Sequence, residues 1–280
     1  FSPPENSKPF SPACEQIDFP AKFVINSNMK KSKILLTVCC SFLLIFPQTF
    51  FSRTKSLPEN SAQNQTADLL IVGGTVVTMD KERRVIEDGA IAVRNGEIIR
   101  VGKRAELTKN IRAKQTIDAT GKKVIPGLIN AHTHIPMTLF RGIADDLDLQ
   151  EWLTKFIFPA EAKNVTEDFV RVGTRLGLAE MIRGGTTTYA DMYYFEDAIA
   201  DETFKAGVRG VLGETIIQFP VPDNQTPADA LRYSEKFINK WKNNPLIVPA
   251  LAPHAPYTLS TEDLLKVKNL ADKLNAPVLI

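Results

Sequence analysis

Hydrophobic and polar positions follow two different patterns on either side of residue 125. Before it, short β-branched runs alternate with turn residues, which is typical of strands joined by tight turns. The predicted strands cover residues 69–72, 75–78, 90–93 and 97–101. Asn95-Gly96, between the last two, is a strong hairpin signal. Residues 67–125 are therefore predicted to form a small all-β unit, a β-sandwich subdomain.

After residue 125 the pattern alternates between strands and helices. The predicted strands cover residues 123–130, 186–191, 208–217, 247–252 and 277–280. Thr166 is placed to cap a helix that stops at Gly184-Gly185, and Ser260 with Asp263 forms a capping box for another. The buried side of that second helix is predicted to comprise Leu264, Leu265, Val267, Leu270, Ala271 and Leu274. This alternation implies an α/β fold with a parallel sheet, and it favours a (β/α)8 TIM barrel of which residues 126–280 supply about five strands.

The first 66 residues have a different character. A cationic start at residues 29–33 precedes an apolar run at 34–46 and then a polar stretch, the three parts of a secretory signal peptide. The run is shorter than the roughly 20 residues that span a bilayer. We expect a signal peptide or an uncleaved membrane anchor over residues 29–52 and a linker over 53–66. Residues 1–28 are expected to be an upstream non-native or disordered segment before a true start at Met29.

This signal predicts a protein that is exported to the periplasm or outside the cell, or is tethered to a membrane through residues 34–46. The alternative is that the apolar run is a buried helix of a soluble domain, and the protein is then expected to be cytoplasmic. Self-association into a homo-oligomer is compatible with either.

Charge and cysteine content narrow the chemistry. The 280 residues carry a formal net charge of +2, and residues 67–280 hold 27 basic and 28 acidic side chains. A neutral body without a basic stripe gives no electrostatic footprint for nucleic acid. The three cysteines lie within the first 40 residues. A metal in the body must therefore be held by histidines and carboxylates rather than by thiolates.

The most informative segment is Pro126-Gly-Leu-Ile-Asn-Ala-His-Thr-His134. Side chains alternate along a strand, so His132 and His134 are predicted to point to the same side of the sheet. They lie at the C-terminal end of the first barrel strand, where such barrels keep their active sites. Two converging imidazoles are typical ligands of one divalent metal. Zinc is favoured by the ligand type, with iron or manganese as alternatives.

Residues 67–280 resemble the amidohydrolase superfamily, in the branch of aminohydrolases and chlorohydrolases that includes methylthioadenosine/S-adenosylhomocysteine deaminases. The resemblance rests on the histidine segment together with motifs in a fixed order. These are Ala67-Asp-Leu-Leu-Ile-Val-Gly-Gly, Ile117-Asp-Ala-Thr-Gly, Pro136-Met-Thr-Leu-Phe-Arg-Gly, Glu151-Trp-Leu, Gly184-Gly-Thr-Thr and Ala252-Pro-His-Ala-Pro-Tyr.

The resemblance implies roles for further residues. His254, at the end of the fourth strand, matches a substrate-contacting histidine. The absence of a lysine beside it favours a single metal over a lysine-bridged pair. Glu161 matches a glutamate that binds ribose hydroxyls. One departure stands at Glu214: members that bind adenosyl substrates carry an arginine just after the third strand, where this chain reads Leu212-Gly-Glu-Thr215. An acid there is expected to exclude an anionic substrate tail or to favour a cationic one. Trp152 and Tyr257 are expected to pack rather than to stack on substrate.

The implied function is hydrolytic deamination of an amino-substituted purine, pyrimidine or related heterocycle by metal-activated water. The catalytic Glu and Asp are unknown here, because the resemblance places a His-x-x-Glu, a later histidine and an aspartate beyond Ile280. The chain is accordingly expected to be an N-terminal fragment, inactive alone. Chlorohydrolase or cyclic-amide hydrolase chemistry on the same scaffold, and an inactive truncated binding protein, are the alternatives.

Overall fold

The structure is a computed structural model that describes residues 65–280. The predicted upstream segment, the signal or anchor at residues 29–52 and most of the linker lie outside the described residues and remain predictions. Among residues 65–280, no helix combines the length and apolar character that a bilayer crossing requires.

The first part of the described chain forms a mixed five-stranded sheet. Its strands are β1 (Gln65–Val77), β2 (Val85–Arg94), β3 (Glu97–Lys103), β4 (Ile111–Asp118) and β5 (Lys123–Val124). The order is β3-β2-β1-β4, and β5 also pairs with β1. The predicted hairpin at Asn95-Gly96 is confirmed, with φ of 52° and 78° at its two residues. The two strands predicted at 69–72 and 75–78 are one strand, irregular around Gly74.

The prediction of an all-β unit was wrong in one respect. A helix, α1 (Arg104–Asn110), connects β3 to β4, and neither α1 nor β4 was predicted. Its sequence, Arg-Ala-Glu-Leu-Thr-Lys-Asn, opens with strong helix formers. Leu107 is buried and packs against Gly102 of β3. A helix this short depends on such packing rather than on propensity alone.

The second sheet is parallel and positions the candidate site. Its four strands, in spatial order, are β6 (Leu128–Thr133), β7 (Thr186–Tyr193), β8 (Arg209–Ile216) and β9 (Ile247–Pro253). The α-helices are α2 (Leu149–Glu151), α3 (Phe158–Asn164), α4 (Glu167–Arg183), α5 (Glu196–Ala206), α6 (Pro227–Trp241) and α7 (Thr261–Leu274). A 3-10 helix covers Ile135–Phe140, and a π-helix covers Trp152–Ile157. The α/β class and the parallel sheet are confirmed, whereas a closed eight-stranded barrel is not shown by the described residues.

Two predicted strands differ from the structure. The segment 123–130 is divided at Pro126, because Lys123–Val124 pairs with β1 and Leu128–Thr133 pairs with β7. Proline has no N–H for a ladder bond, so a strand interrupted there can change partner. At residues 277–280 the structure has only an isolated parallel bridge between Leu251 and Val278.

The predicted helix starts are confirmed. The hydroxyl of Thr166 accepts the Phe169 N–H and begins α4, and Ser260 accepts the Asp263 N–H and begins α7. The predicted buried side of α7 was wrong at Leu265, which is 54% exposed. Tyr189, Leu212 and other residues of the strands form the core with apolar side chains of the helices.

Candidate metal centre and adjoining cavity

The two histidines of the predicted metal site lie together at the C-terminal edge of the parallel sheet. His132 is the penultimate residue of β6, and His134 follows its last residue. Their ring centroids are 5.1 Å apart, in an edge-to-face arrangement. This geometry agrees with the predicted common orientation of the two side chains.

The end of β7 fixes the orientation of His134. Its Nδ1 lies 2.5 Å from the carbonyl oxygen of Met192. Because a carbonyl oxygen only accepts, Nδ1 carries the proton and Nε2 retains the lone pair that a metal requires. Burial also lowers the pKa of His134, and the hydrogen bond to Met192 opposes this effect only in part. The neutral imidazole, which is the ligand form, is therefore favoured.

Asp191, on β7, holds the segment around His134 through two hydrogen bonds. Its Oδ1 accepts the Thr133 hydroxyl at 2.5 Å and the Ile135 backbone N–H at 2.6 Å. Asp191 is 1% exposed, and its Oδ2 is buried with no hydrogen-bond partner. Burial raises the pKa of this carboxyl to about 7, although both hydrogen bonds lower it. The carboxyl thus holds the side chain of Thr133 and the backbone of Ile135, the two neighbours of His134.

A cavity, here called the strand-end cavity, lies beside the histidines. It brings together three of the four residues predicted for the site: His134, Glu161 and His254. The rest of its wall comprises Met137, Trp152, Leu153, Ile157, Phe158, Met192, Tyr193, Tyr194 and Thr215. Trp152 was expected only to pack but lines this cavity, whereas Tyr257 is 75% exposed.

Glu161 is a buried carboxyl held by two tyrosines. It lies on α3 and is 5% exposed. Its Oε1 accepts from the Tyr193 hydroxyl at 2.8 Å, and its Oε2 accepts from the Tyr194 hydroxyl at 3.3 Å. Burial raises the pKa of Glu161 to about 7, because desolvation outweighs the two hydrogen bonds. Each oxygen retains a lone pair, so the group can still accept hydrogen bonds from a ligand.

His254 follows β9 directly, at the predicted end of the fourth strand. Its Nδ1 lies 3.0 Å from the Thr258 hydroxyl, which in turn donates to the Ala255 carbonyl. Burial lowers the pKa of His254, and the nearby His134 lowers it further. A neutral imidazole on the cavity wall can exchange a hydrogen bond with a polar ligand.

The structure places Glu214 away from the strand-end cavity, and the predicted effect of this acid on a charged substrate tail stays a prediction. Its neighbour Thr215 lines the strand-end cavity, so Glu214 points to the opposite face of β8. Glu214 is fully buried and accepts from the Glu196 backbone N–H and from the Asn224 side chain. These bonds connect β8 to the start of α5 and to the loop that contains Asn224, on the face of the sheet opposite the cavity.

Residues that sequence analysis missed are Asp191, Tyr193 and Tyr194. All three lie within the last three residues of β7 or directly after it. This position was the available signal, since ligands bind beyond the carboxyl ends of parallel strands.

The donor set at this edge fits part of a metal site. Two imidazoles lie side by side, and one is oriented through its second nitrogen, as metal-bound histidines commonly are. Within residues 65–280, no three or more His, Cys, Asp or Glu side chains are grouped to hold a metal. The predicted ligand pair, His132 and His134, thus has no third candidate ligand grouped with it among the described residues.

Comparison with known proteins places the chain in a family. Residues 123–280 match the model of the amidohydrolase family. Over 214 residues the chain is 50% identical to the 5-methylthioadenosine/S-adenosylhomocysteine deaminase of Syntrophobacter fumaroxidans, covering 76% of this chain and 49% of that protein. Over 191 residues it is 48% identical to the 5′-deoxyadenosine deaminase of Methanocaldococcus jannaschii, covering 67% and 44%.

A solved structure gives the same assignment. The crystal structure of an adenosine deaminase from Xanthomonas campestris with bound zinc matches with a TM-score of 0.75 at 41% identity, over 76% of this chain and 49% of that one. The chain spans about half the length of the curated relatives that it matches. On the family match and this structural similarity, the chain belongs to the amidohydrolase family.

Proposed function

We propose that the protein containing this chain is a zinc-dependent hydrolase that deaminates adenosine derivatives. The observation that carries the proposal is the convergence of His134, Glu161 and His254 on one cavity at the C-terminal edge of the parallel sheet. The names of the relatives, at up to 50% identity, supply the substrate class. In the reaction, water replaces the ring amino group, a C–N bond is exchanged for a C–O bond, and ammonia leaves.

In this proposal His132 and His134 hold the metal. A divalent ion bound there supplies a Lewis acid that brings the pKa of water near neutrality. Zinc suits imidazole ligands, and the Xanthomonas campestris relative holds zinc. We expect the remaining ligands and the proton-transferring glutamate on strands that follow β9, as the family resemblance implies.

Glu161 and His254 bind the substrate. A buried carboxylate is a good acceptor for the adjacent 2′ and 3′ hydroxyls of ribose, and Tyr193 and Tyr194 hold it in place. His254, across the same cavity, hydrogen-bonds the heterocycle. Apolar side chains that include Trp152 and Met137 cover the ring and exclude water around it.

The closed (β/α)8 barrel belongs to the same proposal. Both edges of the parallel sheet expose apolar side chains, with Ile129 73% exposed on β6 and Val248 46% exposed on β9. Uncovered apolar edge strands promote aggregation, so native proteins cover or pair them. Further strands that complete a barrel would pair with these two edges.

A substrate panel tests the proposal. The intact protein, loaded with zinc, is incubated with 5′-methylthioadenosine, with a chlorinated triazine and with a cyclic amide. We expect ammonia release from the nucleoside alone. Chloride release or ring opening without ammonia would instead assign one of the alternative hydrolase chemistries. A His254→Gln variant that retains full activity would contradict the proposed role of His254 in substrate binding.

A further inference from the structure

The segment that follows β7 carries the two tyrosines that hold Glu161. Tyr193 ends β7, Tyr194 follows it, and the hydroxyls of both donate to the Glu161 carboxyl group. Their rings also pack on each other, with centroids 4.6 Å apart. The next residue, Phe195, turns the chain into α5, so the placement of both tyrosines depends on this turn.

Phe195 adopts a left-handed backbone conformation that phenylalanine does not favour. Its φ is 53° and its ψ is 43°. Glycine and asparagine adopt this conformation readily, whereas a bulky side chain is strained there and persists only where surrounding contacts enforce it. Phe195 also precedes α5 without a capping hydrogen bond from its own side chain. Contacts from elsewhere in the fold must therefore hold the turn.

Two carboxyl groups, one on β8 and one in the loop after it, supply these contacts. Asp223 accepts the Phe195 N–H at 2.5 Å, and Glu214 accepts the Glu196 N–H at 3.0 Å. The first N–H groups of a helix have no partner within the helix, and the positive end of the helix dipole favours negatively charged acceptors. The start of α5 is thus capped by side chains from another part of the chain.

Glu214 and Asp223 also contact each other. Their carboxyl groups lie within hydrogen-bonding distance. Glu214 has no exposed surface, and Oδ1 of Asp223 is buried without an N–H or hydroxyl partner. Burial raises the pKa of both groups, and the contact with Asp223 raises the pKa of Glu214 further. Two carboxyl groups that meet inside a protein cannot both be ionised, so one proton lies between them.

Three further acids face this pair from neighbouring elements. They are Glu196 at the start of α5, Tyr194 after the end of β7 and Tyr233 on α6. Burial raises the pKa of all three, and nearby carboxyl groups raise it further. The pair therefore lies in surroundings that disfavour negative charge, which adds to its preference for a single one.

We propose that Glu214 and Asp223 are positioning residues that share one proton and together hold the left-handed turn at Phe195. Through this turn they keep the two tyrosines in place against Glu161. The inference rests on the proposed role of Glu161 in binding the ribose. Glu214 lies on the face of the sheet opposite the strand-end cavity, so the pair acts on the substrate through the turn and not by contact.

Steady-state kinetics of the intact, zinc-loaded protein with 5′-methylthioadenosine test the positioning role. Asp223→Ala removes the acceptor of the Phe195 N–H. We expect KM to rise by at least about tenfold while kcat falls by less than about threefold, because binding is lost and the metal site is retained. In Asp223→Asn the amide oxygen accepts the same N–H and the amide N–H replaces the shared proton, so KM should stay within about twofold of the native value.

Tyr233→Phe is the matched control. The Tyr233 hydroxyl accepts the Asp197 N–H at 3.0 Å, so it caps the same helix two residues beyond Phe195. Its loss should lower the Tm and leave KM unchanged. An unchanged KM in Asp223→Ala, or an equal rise of KM in Asp223→Ala and Tyr233→Phe, overturns the positioning role while the deaminase function stands. An equal rise in Asp223→Ala and Asp223→Asn overturns it as well.

Thermal stability tests the shared proton without reference to activity. From about pH 5 to about pH 8 the folded pair retains a proton that the two unfolded carboxyl groups release, so the native protein loses this stabilisation as the pH rises. Asp223→Asn has no shared proton, and both proteins contain the other buried acids. The Tm of the native protein relative to Asp223→Asn should therefore fall as the pH rises, and a difference that does not change with pH overturns the shared proton.

The two proposals fail separately. If the intact protein deaminates no adenosine derivative, the proposed function fails, whereas the Tm series still decides whether Glu214 and Asp223 share a proton. Calorimetric affinity for 5′-methylthioadenosine then replaces KM in the comparison of the variants.

Discussion

The carboxylate of Asp191 accepts the backbone N–H of Ile135 at 2.6 Å, one residue beyond the predicted metal ligand His134. The same oxygen accepts the Thr133 hydroxyl, on the other side of that ligand. Together with the Met192 carbonyl on Nδ1, these bonds set both the backbone and the ring of His134. The end of β7 thus holds His134 in position through three hydrogen bonds.

Removing this support should weaken metal binding. Asp191→Ala eliminates both acceptors, and we expect zinc affinity of the intact protein to fall by about 10–100-fold, the usual cost of losing an outer-shell partner. Asp191→Asn should retain most of the affinity, because one oxygen accepts both hydrogen bonds in the native protein. Competition with a chromophoric chelator measures the affinity.

Tyr189→Phe is the matched control for this experiment. Tyr189 lies on the same strand, is fully buried and hydrogen-bonds Thr203, away from the histidines. Its loss should lower the Tm without changing zinc affinity. A similar loss of zinc affinity in Asp191→Ala and Tyr189→Phe would reduce Asp191 to a general structural role.

Substitution of a predicted metal ligand and substitution of the predicted substrate contact should have different effects on zinc content and on activity. His132→Ala or His134→Ala should leave the purified protein with little bound zinc, since each removes a ligand. His254→Ala should keep its zinc and lose kcat/KM for the nucleoside. Mass spectrometry of the metal content, together with the rate of ammonia release, distinguishes these cases. Full zinc occupancy in His134→Ala would contradict the assigned site.

Close packing beside the histidines should be sensitive to a single methyl group. A Cβ added to Gly173 on α4 would lie 2.5 Å from the Pro136 carbonyl oxygen, in the turn that follows His134. Gly173→Ala should therefore lower the free energy of unfolding by about 1–3 kcal/mol, as overpacking does. It should also weaken zinc binding, because the turn must shift.

Gly184→Ala at the end of the same helix is the control for that substitution. There φ is −81° and the nearest atom to an added Cβ is 3.3 Å away, so little has to move. Urea unfolding of both variants gives the comparison. Equal stability of the two would show that the contact between α4 and the turn is loose.

The stability of the protein should depend on pH through Glu161. Burial raises the pKa of this carboxyl from 4.5 to about 7, so the folded state binds more protons than the unfolded state between these values. The resulting stabilisation is complete below pH 4.5 and is lost as the pH rises through 7. Glu161→Gln should therefore gain stability relative to the native protein between pH 5 and pH 8, by at most about 3 kcal/mol.

Urea unfolding at both pH values measures this effect. Glu97→Gln, at an exposed position on β3, is the control and should show the same difference from the native protein at both. A Glu161→Gln difference that does not change with pH would show that the carboxyl is ionised in the folded state at both.

Local sequence signals predicted the part of the site that depends on position along one strand. His132 and His134 are two residues apart, and His254 follows an apolar run, so strand periodicity and strand order placed all three at the same edge. The contact of Glu161 with Tyr193 joins residues 32 positions apart, and the clamp of Asp191 on Ile135 spans 56. These depend on how α3 and β7 pack, which no local pattern encodes.

The orientation of Glu214 is also beyond what a local pattern predicts. A shift of one residue along a strand moves a side chain to the opposite face. The sequence identified the correct strand end, but only the structure shows that Thr215 faces the cavity while Glu214 faces Asn224. The interruption at Pro126 is similar. Tertiary packing, not local sequence, determines that β5 pairs with β1 and that β6 pairs with β7.

The most direct test of the proposed function is the rate of ammonia release from 5′-methylthioadenosine as the intact, metal-stripped protein is titrated with zinc. The rate should rise from near zero in proportion to bound zinc and reach a plateau at one ion per chain. The corresponding His132→Ala, His134→Ala double variant should stay at the baseline. A rate that does not depend on zinc, or a fully loaded protein that releases no ammonia, would contradict the assignment of this chain to a zinc-dependent deaminase.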